Sequence, residues 1–387
     1  MDGDNKLFLI RTEIPSLSTI TITETLGLIV IVLYVTTILY IHSVEAVVSG
    51  KYNFVGKWGT RGTGNGQFQY PIGTAADSSG FVYVADSAND RIQKFRLANP
   101  CPVGTTQIVA GVCLVIKWGM PGTGNGQFNW PTGVAVDKLG HVFVTDATNN
   151  NVQMFRGNGA FITKWGSQGS GDGHFQNPRS IGVDSLGFVY VADSANDRIQ
   201  KFRLANPCPV GTTQIVTGVC FVTKWGMPGT GNGQFKWPAG IAIDPAGLVY
   251  VTDYLNFRVQ VFTSNGVFIR AWGSQGSADG QFNSAGDIAT DTLGYVYVSD
   301  MLNDRVQKFL LSPTCPPGTT QITADVCFVT KWGNTGVGDG QFIVPTGVAV
   351  DSSTGRIYVG DNNNHRIQAF FWKPLNFNVE TAGIIVK

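Results

Sequence analysis

Carboxylates are the side chains best suited to hold a metal or move a proton, and this chain repeats them at fixed places. Asp77, Asp137, Asp184, Asp244, Asp291 and Asp351 each begin a D-x-x-G turn, whereas Asp86, Asp146, Asp193, Asp253, Asp300 and Asp361 each begin a D-x-x-N turn. A residue repeated six times marks architecture more than one reaction centre, and an aspartate at a turn accepts backbone N–H groups. Both sets are therefore read as turn caps. The four histidines, His42, His141, His174 and His365, are scattered and do not carry the spacing of a three-histidine zinc site. No G-x-S-x-G elbow, phosphate-binding loop or Cys–His pair occurs either. No catalytic residue, metal or cofactor is expected.

A ligand site needs asymmetry, so it is sought where the repeated units differ. Each unit carries a proline or its counterpart before a short apolar run. The next residue reads Ile72, Thr132, Arg179, Ala239, Gly286 and Thr346, and the one after it Gly73, Gly133, Ser180, Gly240, Asp287 and Gly347. Arg179 and Asp287 break these series, and a guanidinium and a carboxylate at one entrance would orient a polar ligand. The residue before the proline adds three aromatics, Tyr70, Trp130 and Trp237, whose faces suit a peptide, a sugar or a base. Five arginines in the D-x-x-N-x-R segments, Arg91, Arg198, Arg258, Arg305 and Arg366, form a candidate basic ring, blunted by Asp90, Asp197 and Asp304.

The six cysteines fall in three like inserts of the form C-P-x-G-T-T-Q-I-x-x-x-V-C: Cys101 with Cys113, Cys208 with Cys220, and Cys315 with Cys327. An insert that is repeated with its own two cysteines makes pairing within each insert the simplest connectivity. Zinc is the rival, but the inserts hold no histidine and two thiolates do not complete a tetrahedral site. Disulfides require an oxidising compartment.

The elements that position these residues follow from a repeat. Trp-Gly recurs at Trp58, Trp118, Trp165, Trp225, Trp272 and Trp332, at alternating long and short spacings, and residues 80–109 are identical to residues 187–216. Val82 and Val84 alternate with Phe81 and Tyr83, the period of two that a strand with two different faces requires. Four short strands per unit cannot bury their own faces, so six units are expected to pack radially as a six-bladed, all-β propeller. The copy at Phe54 to Trp58 precedes any inner strand, so it is expected to close blade 6, with the C-terminal Gly383 to Lys387 as the rival. Such closure removes a sheet edge. The inserts join strands three and four of blades 1, 3 and 5. They are therefore expected on the face opposite the glycine-rich segments and D-x-x-N turns.

The pattern W-G-x-x-G…G-x-F…P-x-G-V-A-V-D…G-x-V-Y-V-x-D-x-x-N-x-R-I-Q-x-F resembles the NHL repeat, and the likeness runs from about Phe54 to Phe370. The resemblance implies the propeller but no single activity. Similar families include amidating lyases with metal-binding histidines, RNA-binding TRIM-type proteins, sensor domains of receptor kinases and exported proteins.

Composition and the N-terminal region set the setting. Hydrophobic residues make up 43% and charged residues 14% of the 387, which excludes a disordered chain and a long exposed coiled coil. The 49 glycines and 24 phenylalanines fit aromatic-rich strands joined by glycine turns. A net charge of +1 gives no global field to recruit nucleic acid, which makes nucleic acid an unfavoured partner. Residues 26–41 form an uncharged apolar run of roughly 24 Å as a helix, read within 26–46 as a signal peptide cut after Ala46 or as a membrane anchor. The expected layout is a polar segment at 1–25, that helix at 26–46, a propeller at 52–375 and a tail at 376–387. The functional expectation is an extracytoplasmic, secreted or anchored, binding or protein-interaction propeller for a protein, peptide or glycan. A nucleic-acid-binding propeller and a metal-assisted lyase or hydrolase on the rim are the alternatives.

Overall fold

The computed structural model describes residues 50–374, and the expected signal or anchor at 26–46 and the tail at 376–387 lie outside them. Among the described residues no helix is long and apolar enough to cross a membrane. The described chain forms six antiparallel sheets, one for each repeat.

Each unit runs from an inner strand outwards. In blade 1 the order is Pro71–Ala76, Phe81–Asp86, Arg91–Leu97 and Val112–Trp118. The apolar residues of these strands meet those of the next blade, so the core is divided among six interfaces between blades. One cluster joins Tyr83, Ala85 and Ile92 of blade 1 to Phe128, Val142 and Val144 of blade 2. Another joins Trp58, Tyr358 and Ile367 of blade 6 to Phe68, Val82 and Phe95 of blade 1, which shows a closed ring. Single sheets of four short strands would leave both faces wet, and burial between neighbours supplies the driving force instead.

Closure comes from the N-terminal strand. Gly50–Trp58 pairs antiparallel with Arg366–Pro374, from Gly50 opposite Pro374 to Trp58 opposite Ile367. Tyr52 on this strand stacks on Trp332 of blade 5 with ring centres 4.0 Å apart. In blades 1 and 3 the equivalent tryptophans are covered by turns, Trp118 by Gly159 and Trp225 by Gly266. Tyr52 thus does at the seam what a turn does elsewhere.

The inserts depart from expectation in two respects. Blades 1, 3 and 5 have five strands, because Thr106–Val109, Thr213–Val216 and Thr320–Thr323 fold back and pair with the fourth strand. They also do not simply stand off the face opposite the glycine-rich segments. Ile108, Ile215 and Ile322 lie against the backbone of Gly66, Gly173 and Gly280, so each insert strand reaches along the outer edge towards a glycine-rich segment. The apolar isoleucine draws the hairpin onto the blade interface, where Ile108 packs on the cluster holding Phe68 and Phe95. The cysteines pair within each insert as expected, Cys101–Cys113, Cys208–Cys220 and Cys315–Cys327.

Candidate functional site

The inner strands approach one another around the central channel, and this explains the glycine series. A Cβ on Gly73 would collide with the Thr132 carbonyl oxygen, and one on Gly347 with the Ile72 carbonyl oxygen. Glycine is needed in four blades, whereas Ser180 and Asp287 occupy the position in blades 3 and 5. Their polar atoms are built into the ring: the Ile241 N–H donates to Ser180 Oγ at 3.2 Å, and the Val348 N–H donates to Asp287 Oδ2 at 3.2 Å. The Asp287 N–H in turn donates to Ser299 Oγ at 2.8 Å.

Arg179 and Asp287 line the same cavity of about 80 Å³, together with Thr132, Ser180, Met301 and Thr346. The two charged groups stay outside ion-pair distance of each other. The Arg179 guanidinium instead lies over the ring of Tyr254, 5.7 Å from its centre, and among the described residues it has no carboxylate partner. Burial pushes the Asp287 carboxyl up to about 7, against the opposing pull of the Ile288 and Val348 N–H groups, Arg179 and Ser180. Burial also lowers the Arg179 pKa, while Tyr254 and Asp287 act the other way. The arrangement can accept a group that offers an acceptor to Arg179 and a donor to Asp287.

Tyr254 was not singled out in the sequence, although a signal was present. Residues at its place after the aspartate read Ser87, Ala147, Ser194, Tyr254, Met301 and Asn362, and only one is aromatic.

The three rim aromatics do not line this cavity. Tyr70 and Trp130 are exposed, with ring centres 6.2 Å apart, and Tyr70 also meets His365 edge-on at 5.2 Å. Trp237 is half-buried on blade 4. All six residues at this place have a left-handed backbone, from φ 52° at Asn177 to 71° at Ser284. Such a φ is uncommon outside glycine, and here neighbouring blades hold it. Asp90 Oδ1 accepts the Trp130 N–H at 2.7 Å, Asp197 Oδ1 that of Trp237 at 2.6 Å, and Asp304 Oδ1 that of Val344 at 2.8 Å. Those aspartates therefore tie blades together, and the strain repeats with the architecture.

The expected basic ring is not on the surface. Arg91 is buried at 7% exposure, its Nε donating to Asp86 Oδ2 at 2.7 Å and its other nitrogens to the carbonyls of Thr63, Gly64 and Gln67. Arg198, Arg258, Arg305 and Arg366 repeat the clamp on Asp193, Asp253, Asp300 and Asp361. A planar fork with several donors is what a carboxylate flanked by carbonyls selects, so these arginines hold the glycine-rich segments and do not face a polyanion. The D-x-x-N aspartates serve the same clamp: Asp86 also accepts the Gln69 N–H and Asn89 Nδ2. The D-x-x-G aspartates are caps too, as Asp77 accepts the Ser79 and Phe81 N–H groups and the Tyr83 hydroxyl.

The histidines remain apart. His141 pairs with Asp137, His174 with Ser167, and His365 Nδ1 accepts the Tyr70 N–H. Among the described residues no group of three or more histidine, cysteine or acidic side chains is placed to hold a metal ion.

Comparison with known proteins agrees with the fold. The family model of the NHL repeat matches residues 68–95, 128–155, 175–202, 235–262 and 342–370. The chain is 48% identical over 56 residues to the B-box type zinc finger protein ncl-1 of Caenorhabditis elegans, a match covering 14% of this chain and 6% of that protein. It is 47% identical over 62 residues to the protein brain tumor of Drosophila melanogaster, covering 16% of this chain and again 6% of the relative. The matched stretch is thus a small part of those proteins' length. Among solved structures, a structural-genomics protein of unknown function from Bacteroides thetaiotaomicron superposes with a TM-score of 0.55 at 16% identity, over 83% of this chain and 75% of that one. A virginiamycin B lyase from Staphylococcus aureus gives a TM-score of 0.49 at 10% identity, over 83% of this chain and 99% of that one.

Proposed function

Since the chain belongs to the NHL-repeat family of β-propellers, we propose that it is a ligand-binding or protein-interaction module acting outside the cytoplasm, with its recognition site at Arg179 and Asp287. The observation that carries the reading is the break in sixfold regularity. Four blades need glycine where the channel narrows, while blades 3 and 5 bring a guanidinium without an ion pair and a half-buried carboxylate into one cavity. A cavity of about 80 Å³ holds a small polar head group. A peptide terminus or a carboxamide side chain fits, with Arg179 binding an oxygen and protonated or ionised Asp287 answering an acceptor or a donor.

Three disulfides among the described residues support a setting outside the cytoplasm. Intact mass of the mature protein tests this part. A gain of about 6 Da on reduction, roughly 1 Da per sulfur, is expected, with residues 1–46 lost if the segment is cut after Ala46 and kept if it is an anchor, and unchanged mass on reduction would contradict it.

Binding is tested by screening a peptide array with the oxidised protein and with Arg179→Met and Asp287→Asn. The expected result is a set of peptides whose binding falls at least tenfold, about 1.4 kcal/mol, in either variant. Peptides that bind all three proteins equally would place recognition elsewhere.

A further inference from the structure

Blade 2 lacks the arginine clamp that the other five blades share. Asn151 stands where Arg91, Arg198, Arg258, Arg305 and Arg366 stand. Its aspartate, Asp146, is nevertheless fully buried. Asp146 accepts hydrogen bonds from the Asn129 N–H at 3.2 Å, the Asn149 N–H at 3.3 Å and Asn149 Nδ2 at 2.8 Å. All of these donors are neutral. In blade 1 the carboxylate receives a guanidinium Nε at 2.7 Å besides the amide donors.

A second observation points the same way. Asn151 is 6% exposed, and its Oδ1 is buried without a hydrogen-bond partner. Its Nδ2 reaches only the Asn149 carbonyl, at 3.4 Å. The glycine-rich segment of blade 2 presents the same backbone carbonyls as its sisters: Gly124 and Gln127 correspond to Gly64 and Gln67, which accept Arg91 Nη2 at 2.9 and 2.8 Å, and the Gln127 carbonyl accepts Gln153 Nε2 at 2.6 Å just as that of Gln67 accepts Gln93 Nε2 at 2.7 Å besides the arginine. The corner therefore gathers a carboxylate, an unpartnered amide oxygen and carbonyls, and no guanidinium of the described chain reaches them as one does in the sister blades. Lys164 Nζ donates to the Thr123 carbonyl at 2.9 Å and does not contact Asp146. Burial raises the Asp146 carboxyl to about 6, opposed by the Asn149 and Asn129 donors, so it is mainly anionic above neutral pH.

We propose that the Asp146–Asn151 corner of blade 2 binds a guanidinium cation supplied from outside the chain, either a small guanidino compound or an arginine side chain of a bound peptide. The five sister corners act as the template. Each holds a planar guanidinium on a carboxylate and loop carbonyls, a donor fork that a spherical alkali ion does not reproduce. Access follows from the same comparison. Thr123 is exposed and Gly124 half-buried, while Asp146 is fully buried and Asn151 6% exposed, so a ligand enters past the Thr123–Gly124 edge and displaces the Asn151 side chain. This site is distinct from the channel cavity and does not depend on the role given to Arg179.

The test is a titration of the oxidised protein with methylguanidinium, followed by calorimetry and by thermal unfolding, with urea and sodium chloride as controls. The expected result is saturable binding of one equivalent with a rise in Tm at low concentration, absent with urea. Asn151→Arg, which rebuilds the sister clamp, is expected to raise Tm by itself and to abolish the response, and Asp146→Asn to abolish it as well. Because Asn151→Arg restores a motif that the fold already carries five times, it keeps the test decisive if Asp146→Asn misfolds. A peptide Gly-Arg-Gly that binds more tightly than methylguanidinium, and more tightly than its citrulline analogue, identifies an arginine side chain as the source, and equal binding identifies the free compound. No saturable response in the wild type, an equal response in Asn151→Arg, or a response to potassium or sodium alone would overturn the proposal.

Discussion

The Arg179 guanidinium lies 5.7 Å from the ring centre of Tyr254, one blade further round the ring, and forms no ion pair with Asp287 in the same cavity. Opposite charges that share a cavity without touching leave room for a group between them. They also leave Asp287 poorly compensated, with its pKa raised to about 7 chiefly by burial.

That pKa has a consequence for stability. An aspartate is ordinarily near 3.9 in the unfolded chain, so the folded state binds the proton more tightly. The contribution of Asp287 is fully present below about pH 4 and is lost as pH rises through about 7. The side chain keeps some solvent contact, so the effect is taken as about 2–4 kcal/mol at most. Denaturant unfolding from pH 5 to pH 8 is expected to show falling stability, and Asp287→Asn is expected to flatten the profile. An identical slope in the variant would remove Asp287 as its source.

The clamps make a second expectation. Arg91→Met leaves Asp86 buried without its cation, a change that costs about 3–5 kcal/mol when one partner of a buried pair is removed. Urea unfolding of Arg91→Met should show that loss, whereas Lys224→Met, which breaks an exposed pair with Asp172, should cost under about 1 kcal/mol. Equal effects would deny the clamps their structural role.

Each disulfide closes a sequence separation of 12 residues within one blade. The chain-entropy account assigns about 3 kcal/mol to a loop of this size. The paired change Cys208→Ser with Cys220→Ser is expected to lower stability by about that amount while leaving the blade count intact, as read by circular dichroism and calorimetry. Loss of all cooperative unfolding would mean that the inserts support more than their own blades.

Much of this fold was legible because the repeat is written in residue types that answer to backbone physics. Trp58 ends a seam strand that no inner strand of its own precedes, and its pairing opposite Ile367 follows from the register of the repeats. The insert strands were not legible, since Thr106–Val109 is short and largely exposed, and only its pairing with Val112–Trp118 makes it a strand. The arginine clamp was misread because D-x-x-N-x-R looks like a surface turn until the glycine-rich carbonyls close over Arg91. At the channel, Arg179 and Asp287 stood out as breaks in a series, and the structure places both on one cavity. Tyr254 escaped notice because the ring it presents to Arg179 belongs to another blade.

The most direct measurement is nitrogen-15 NMR of the arginine Nε–Hε groups while candidate peptides are added to the oxidised protein. Arg179 is assigned by its loss in Arg179→Met, and the five clamp arginines serve as internal references. A ligand that shifts the Arg179 signal in a saturable way, leaves the clamp signals in place and loses affinity in Asp287→Asn is the predicted result. A ligand that binds saturably while the Arg179 signal stays still would contradict the channel as the recognition site.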